Sequence, residues 1–225
     1  SETEHRERLR HAKRTLADGG FDGAIVVAPE HLFYFAGYDS WVSVNSPQAL
    51  IFGVGEDAPT LVLRNVDLPL ARETSWVEDI RSYHLHRDDV PALVAGIVAD
   101  KRIGRGNRIA IEMQSYALTH ALGLALAKAL DPISLVDATE LLGELRVVKS
   151  ATEIAYLREA AVYADIGLEA APPIVRAGRS NRRRYQDQIC DWTHSMNLPF
   201  GMAATFVATT WPFLKIMKVG MPRMP

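Results

Sequence analysis

The sequence offers seven histidines and a single cysteine for chemistry, and their spacing bounds what each can do. His84 and His86 stand two apart, so on a strand they point to one side, which is a two-ligand start for a metal site. Arg87, Asp88 and Asp89 follow at once, however, and no carboxylate has a compelling position to complete the set. A solvated strand end is the plainer reading. His31, His120 and His194 are isolated and read as surface or satisfied interior histidines rather than bases. Cys190 has no identifiable activating neighbour and reads as an inert thiol. Gly104-Arg105-Gly106 precedes a strand, whereas a phosphate cradle needs its glycines at a helix start, so a surface turn is expected there. The G-x-S-x-G elbow, the H-E-x-x-H motif and cysteine pairs at metal spacing do not occur.

The most unusual local composition is HLFYFAGYDSWVSVNSPQ, His31 to Gln48, in which Phe33, Tyr34, Phe35, Tyr38 and Trp41 crowd together. The rings at 33–35 suit a core. Tyr38, Asp39, Ser40 and Trp41 follow Gly37 in a loop, where aromatic rings either pack or bind, since each brings a large contact area at little entropic cost.

The elements that must hold these residues follow from apolar patterning. Leu9, Ala12 and Leu16 recur at helical spacing and Gly19-Gly20 stops that helix. Asp22–Ala28, Gln48–Gly53, Thr60–Asn65 and Val77–His84 are short runs of strand character, the middle two joined by a hairpin-like link that predicts an antiparallel pair. Asp89 is a natural N-cap for a helix carrying Leu93, Val94, Ile97 and Val98. Arg108–Glu112 reads as a strand, Ser115–Leu130 as a helix and Ile133–Ala138 as a last strand, an alternation that implies parallel neighbours. Residues 1–145 thus read as one α/β domain with a mixed sheet of about six strands.

Ser150 and Glu153 then form a capping box, opening a helix whose Ile154, Leu157, Ala161, Ala164, Leu168 and Ala171 make an apolar stripe before Pro172-Pro173. From residue 192 to 225 there is no aspartate or glutamate, and five of the six methionines lie in that stretch. Residues 146–225 read as the truncated or divergent start of a second domain.

Composition narrows the classes of partner. A net charge of -2 gives no general attraction to phosphate backbones, and Arg182-Arg183-Arg184 is too short a basic run to change that, so nucleic acid is not an expected partner. No apolar run reaches the ~18 residues that span a bilayer, and the first twenty residues are charged where a signal peptide is apolar. Membrane attachment is not expected. One cysteine fits a reducing compartment, and cytoplasmic location is the expectation.

Several segments resemble the creatinase, prolidase and aminopeptidase P superfamily, the "pita-bread" metallohydrolases. They are RLRHAKRTLADGGFDGAIVVAPEHLFYFAGYDSW, QALIFG, RIAIE and, above all, LRVVKSATEIAYLREAAVYADIGLEAA, which is similar to the family's junction into its catalytic domain. The likeness covers about residues 6–180. It implies a ribonuclease H-like N-terminal domain, followed by the first helix of an incomplete α+β pita-bread domain. It also implies hydrolysis of Xaa-Pro peptide or other small C-N amide bonds, with two divalent metals such as Mn or Co in a full-length relative, where anionic oxygens hold the cations and the pair activates a bridging water. A homodimer is implied too, in which the N-terminal domain lends a loop to the neighbouring subunit's active site. By position that loop is Gly37 to Pro47, making Tyr38, Asp39 and Trp41 the candidates for substrate-pocket or dimer contact. The family's metal ligands find no matching positions in this sequence: beyond the junction helix the acidic residues are Asp187 and Asp191, and the context of His194 is unlike the family's histidine motif. The resemblance therefore implies a chain inactive alone. A second reading is a stand-alone binding module that pairs with itself or with a full-length relative. The loop lacks the basic residue of creatinase, leaving prolidase-like and ectoine-hydrolase-like specificity open.

Overall fold

The computed structural model describes residues 1–39, 46–55 and 58–170. The chain divides into two compact units, residues 1–148 and residues 149–225.

In the first unit, α1 (Glu2–Asp18) buries Leu9, Ala12 and Leu16, the stripe that its spacing predicts. β1 (Gly23–Val26) follows and is buried along its whole length. Residues 29–36, PEHLFYFA, form α2 (Pro29–Ala36), which the aromatic crowding conceals from periodicity: Pro29 starts it and Gly37, in the left-handed region at φ 70°, ends it. β2 (Ala49–Gly53) and β3 (Thr60–Arg64) are the expected antiparallel pair, with Ile51 opposite Thr60. A 3-10 turn at Asn65–Asp67 leads into α3 (Leu68–Thr74), then β4 (Asp79–Tyr83) and α4 (Val90–Asp100). Asp89 caps α4 by accepting the Ala92 N–H at 3.0 Å. β5 (Arg108–Ile111), α5 (His120–Ala129), β6 (Ser134–Asp137) and α6 (Thr139–Glu144) complete the unit. α5 is shorter than the predicted 115–130 because Thr119 accepts the Leu122 N–H and caps it there, while residues 115–118 form a turn.

The six strands make one mixed sheet in the order β4-β3-β2-β1-β5-β6. β1 runs antiparallel to β2 and parallel to β5; β5–β6 and β3–β4 are also parallel. Without β4, the order β3-β2-β1-β5-β6 is the ribonuclease H-like arrangement that the resemblance implies. Alternate residues feed two cores, as the two-residue period of a strand requires. Ala24, Val26, Leu50, Phe52, Leu61 and Leu63 pack with α1, α2, α3 and α6. Ile25, Ile51, Val62, Ile109 and Ile111 pack with α4 and α5. Both faces are thereby covered, which is why the central strands read as continuous apolar runs. The β1–β2 approach is close at Gly23, where an added Cβ would lie 2.4 Å from the Phe52 carbonyl oxygen.

In the second unit, α7 (Ala151–Ala170) begins with the predicted capping box. The Glu153 N–H donates to Ser150 Oγ at 3.1 Å, and the Ser150 N–H donates to Glu153 Oε2 at 2.8 Å. Ile154 and Leu157 are each more than a third exposed and Leu168 two-thirds exposed. Ala171 and Pro172-Pro173 lie outside the described residues. Among those residues no helix is long and apolar enough to cross a membrane.

Candidate functional site

The loop singled out in the sequence leaves α2 at Gly37, where an added Cβ would meet the Thr74 carbonyl oxygen at 3.1 Å. Both the positive φ and the lack of room favour glycine. The last carbonyls of α2 have no partner within the helix and are met from the segment after α3: Ser75 Oγ donates to the Ala36 carbonyl at 2.7 Å and Trp76 Nε1 to the Phe35 carbonyl at 2.9 Å. From the other side, His5 Nδ1 donates to the Tyr34 carbonyl at 2.9 Å, and Tyr34 Oη donates to the Leu145 carbonyl at 2.9 Å. Arg6 and Arg8 lie over the rings of Trp76 and Tyr34, 4.1 and 4.3 Å from their centroids. Burial, more than any neighbour, holds the His5 imidazole below its ordinary pKa.

Tyr38 is fully buried in the core that also holds Phe35. Gln48 Nε2, on the far side of the loop, donates to Tyr38 Oη at 3.1 Å. It also lies 3.4 Å from Asp67 Oδ2. Tyr83 Oη donates to the Pro47 carbonyl at 2.7 Å, and burial pushes that phenol's pKa up. Both ends of the loop are therefore tied into the sheet by side chains that water does not reach. Asp39 is half-buried, and Trp41 lies outside the described residues. Of the three predicted site residues, the structure thus places Tyr38 in the core and leaves Asp39 half-buried.

At the opposite end of α2 lies an arrangement that sequence reasoning missed. Glu112, directly after β5, is wholly buried, and its Oε2 accepts the N–H groups of Val27 and Ala28 at 2.7 Å each. Its Oε1 accepts from His31 Nδ1, and the His31 ring stacks on Phe35 with centroids 5.8 Å apart. Of the two settings expected for His31, surface or satisfied interior, the structure shows the interior one, but only one of its nitrogens is satisfied, since Nε2 is buried without a hydrogen-bond partner. The sequence signal was a glutamate directly after the apolar run Ile109-Ala110-Ile111, for a buried carboxylate requires donors.

The other candidates stay apart. His84 follows the end of β4 and His86 sits in a turn at φ 65°, so the two do not share a strand face. The Asp88 carboxylate instead accepts the His84 N–H at 2.7 Å, and Asp88 itself is held at about 2 by Arg87 beside it, with the His84 N–H adding to the effect. His120 opens α5 on the exposed surface. Gly104 lies in a turn with φ 86°, as read from the sequence. Cys190 and His194 lie outside the described residues.

The model of the creatinase/prolidase N-terminal domain family matches residues 8–148. The chain belongs to this family. An uncharacterized hydrolase/peptidase of Sinorhizobium fredii is 30% identical over 186 residues, 79% of this chain and 47% of that protein. The ectoine hydrolase of Halomonas elongata is 26% identical over 164 residues, 70% of this chain and 41% of that protein. The crystal structure of dipeptidase PepE from Mycobacterium ulcerans matches with a TM-score of 0.65 at 24% identity, covering 86% of this chain and 50% of that one. This creatinase/prolidase-type chain spans about half the length of the curated relatives it matches.

The metal-dependent chemistry of the family needs a cluster of hard donors. Among the described residues of this family member, no group of three or more His, Cys, Asp or Glu could hold a metal ion. Glu112 and His31 do not supply one, because they are two groups that hydrogen-bond to each other, and the second carboxylate oxygen already accepts the N–H groups of Val27 and Ala28. The described residues therefore do not fit the metal pair.

Proposed function

We propose that this chain carries the N-terminal dimerisation and specificity part of a hydrolase that cleaves Xaa-Pro peptide bonds or other small C-N amide bonds. Residues 1–145 form that part, and residues 146–225 begin the catalytic pita-bread domain. The observation that carries the reading is the family match over residues 8–148, on a fold whose α2 ends in a loop with both flanks anchored. A loop held in this way suits reaching a neighbouring subunit's pocket, because fixed ends limit the entropy lost on contact with a substrate. In a homodimer, Tyr38 supports the loop from within while Asp39 and Trp41 meet a small peptide or amide substrate. In this reading the chain alone is inactive, since the described residues offer no donor set for the two divalent metals.

The test is direct. The purified 225-residue chain is incubated with Mn or Co and with Gly-Pro or Ala-Pro, and both hydrolysis and metal stoichiometry are measured. Absence of hydrolysis is expected. Stoichiometric metal binding together with dipeptide cleavage overturns the reading.

The exposed apolar residues of α7 favour a second reading, a binding module that pairs with itself or with a full-length relative. Light scattering tests it, since a strictly monomeric chain that fails to associate with such a relative removes its support.

A further inference from the structure

The strand order places a topological switch between β1 and β5. From β1 the chain passes to β2 on one side, and from β5 to β6 on the other, while the two strands lie parallel and adjacent. In open α/β sheets the crevice outside the carboxyl ends of such a pair is where ligands bind, because the departing connections leave a gap. Here the crevice is filled. Successive N–H groups of Val27 and Ala28, just past the end of β1, converge on one oxygen of Glu112, and His31 Nδ1 meets the other. Val27, Ala28, His31 and Glu112 are all buried.

Three N–H donors aimed at one carboxylate constitute a receptor for that group, with charge-assisted hydrogen bonds that are stronger than neutral ones. The link from the receptor to its occupant is only the aliphatic part of a glutamate side chain. We propose that the β1–β5 crevice is a carboxylate-binding site that the chain occupies with its own Glu112, and that it accepts a free small monocarboxylate when the tether is cut. The site goes beyond the proposed hydrolase reading and stands or falls independently of it. A plain capping role for Glu112 makes a different prediction, in that its loss would leave a cavity with no preference among anions.

Substitution Glu112→Ala removes a CH2 group and the carboxylate, which together match acetate in size. The full chain carrying this change is melted in sodium chloride, formate, acetate and propionate at matched ionic strength and neutral pH. Loss of the buried acceptor leaves three N–H donors without a partner and lowers Tm by roughly 10 °C in chloride. Acetate then restores several degrees in a saturable manner, as expected for a ligand that binds only the folded state. Formate restores less and propionate little, while the wild-type chain shows no difference among the salts. Glu112→Gly, which also deletes Cβ, shifts the preference toward propionate. Adding His31→Ala to Glu112→Ala weakens the acetate response by removing one donor. Should Glu112→Ala fail to fold in chloride, its refolding yield from urea is compared in chloride and acetate, where recovery in acetate alone supports the site. Equal behaviour in all four salts, or an identical acetate effect on wild type, overturns it.

Discussion

Helices α1 and α7 carry the same kind of message in sequence, an apolar stripe at steps of three and four, yet they end in different surroundings. In α1 the stripe of Leu9, Ala12 and Leu16 is buried to within a few percent, and the helix is fastened further through His5 and Arg8. In α7 the stripe leaves Ile154, Leu157 and Leu168 substantially exposed, although the helix has the better N-terminus of the two: Ser150 and Glu153 satisfy each other's N–H groups, whereas Ser1 makes no side-chain cap bond to α1. Periodicity therefore shows which face of a helix is apolar. It does not show whether the same chain supplies the cover, because that depends on distant sequence.

The contrast can be tested by substitution. The largest effect is expected at Leu16→Ala in α1. A leucine that is fully enclosed costs about 2–5 kcal/mol when cut back to alanine, which urea denaturation of the first unit will register as a lower midpoint. A midpoint unchanged within error would mean that α1 is not part of the cooperative core.

Next comes Ser150→Ala, which removes one half of the capping box at a cost of about 1 kcal/mol. Faster amide exchange in the first turn of α7 is expected, with the urea midpoint of residues 1–148 unmoved. A shift of that midpoint would show that the two units unfold together.

A smaller, pH-dependent effect belongs to α1 alone. Because burial depresses the His5 pKa below 6.5, the unfolded chain binds the proton more tightly than the folded one. Stability is then fully present above pH 6.5 and falls as the pH drops through 6.5 towards the folded value. Chemical denaturation at pH 7 and pH 5 should show this loss, and His5→Gln should reduce it. An unaltered slope in the variant would assign the loss to other groups.

The smallest effect is expected for Leu157→Ser in α7, about 0.5 kcal/mol or less in thermal melts, since the residue is already 37% exposed. A cost of several kcal/mol would show that its stripe is covered in solution, as self-association would do, and repeating the melt across protein concentrations would separate that case.

Much of the fold was legible because each strand carries its own apolar run. The antiparallel β2–β3 link, the parallel pairs at β5 and β6 and the Asp89 cap could all be read within a few neighbouring residues. The helix α2 was hidden by its aromatic residues, although Pro29 and Gly37 marked both of its ends. α3 and α6 span only seven and six residues, too few for a period to emerge. At the candidate site, Gly37 and the aromatic crowd pointed to the loop. The sequence could not show that Tyr38 turns inward to meet Gln48, which depends on how the loop's two flanks come together. Glu112 and His31 were the hardest to foresee, since 81 residues separate them and neither belongs to a local motif.

The same separation orders events during synthesis. β1 can pair with β2 as soon as both have been made, but the N–H groups of Val27 and Ala28 are made about 85 residues before the carboxylate that satisfies them. At ~5–20 residues per second, a ribosome leaves them waiting roughly 4–17 s. The centre of the sheet is thus begun early and completed late, so while the segment between β1 and β5 is being made the sheet is unfinished and its middle strand still lacks a neighbour.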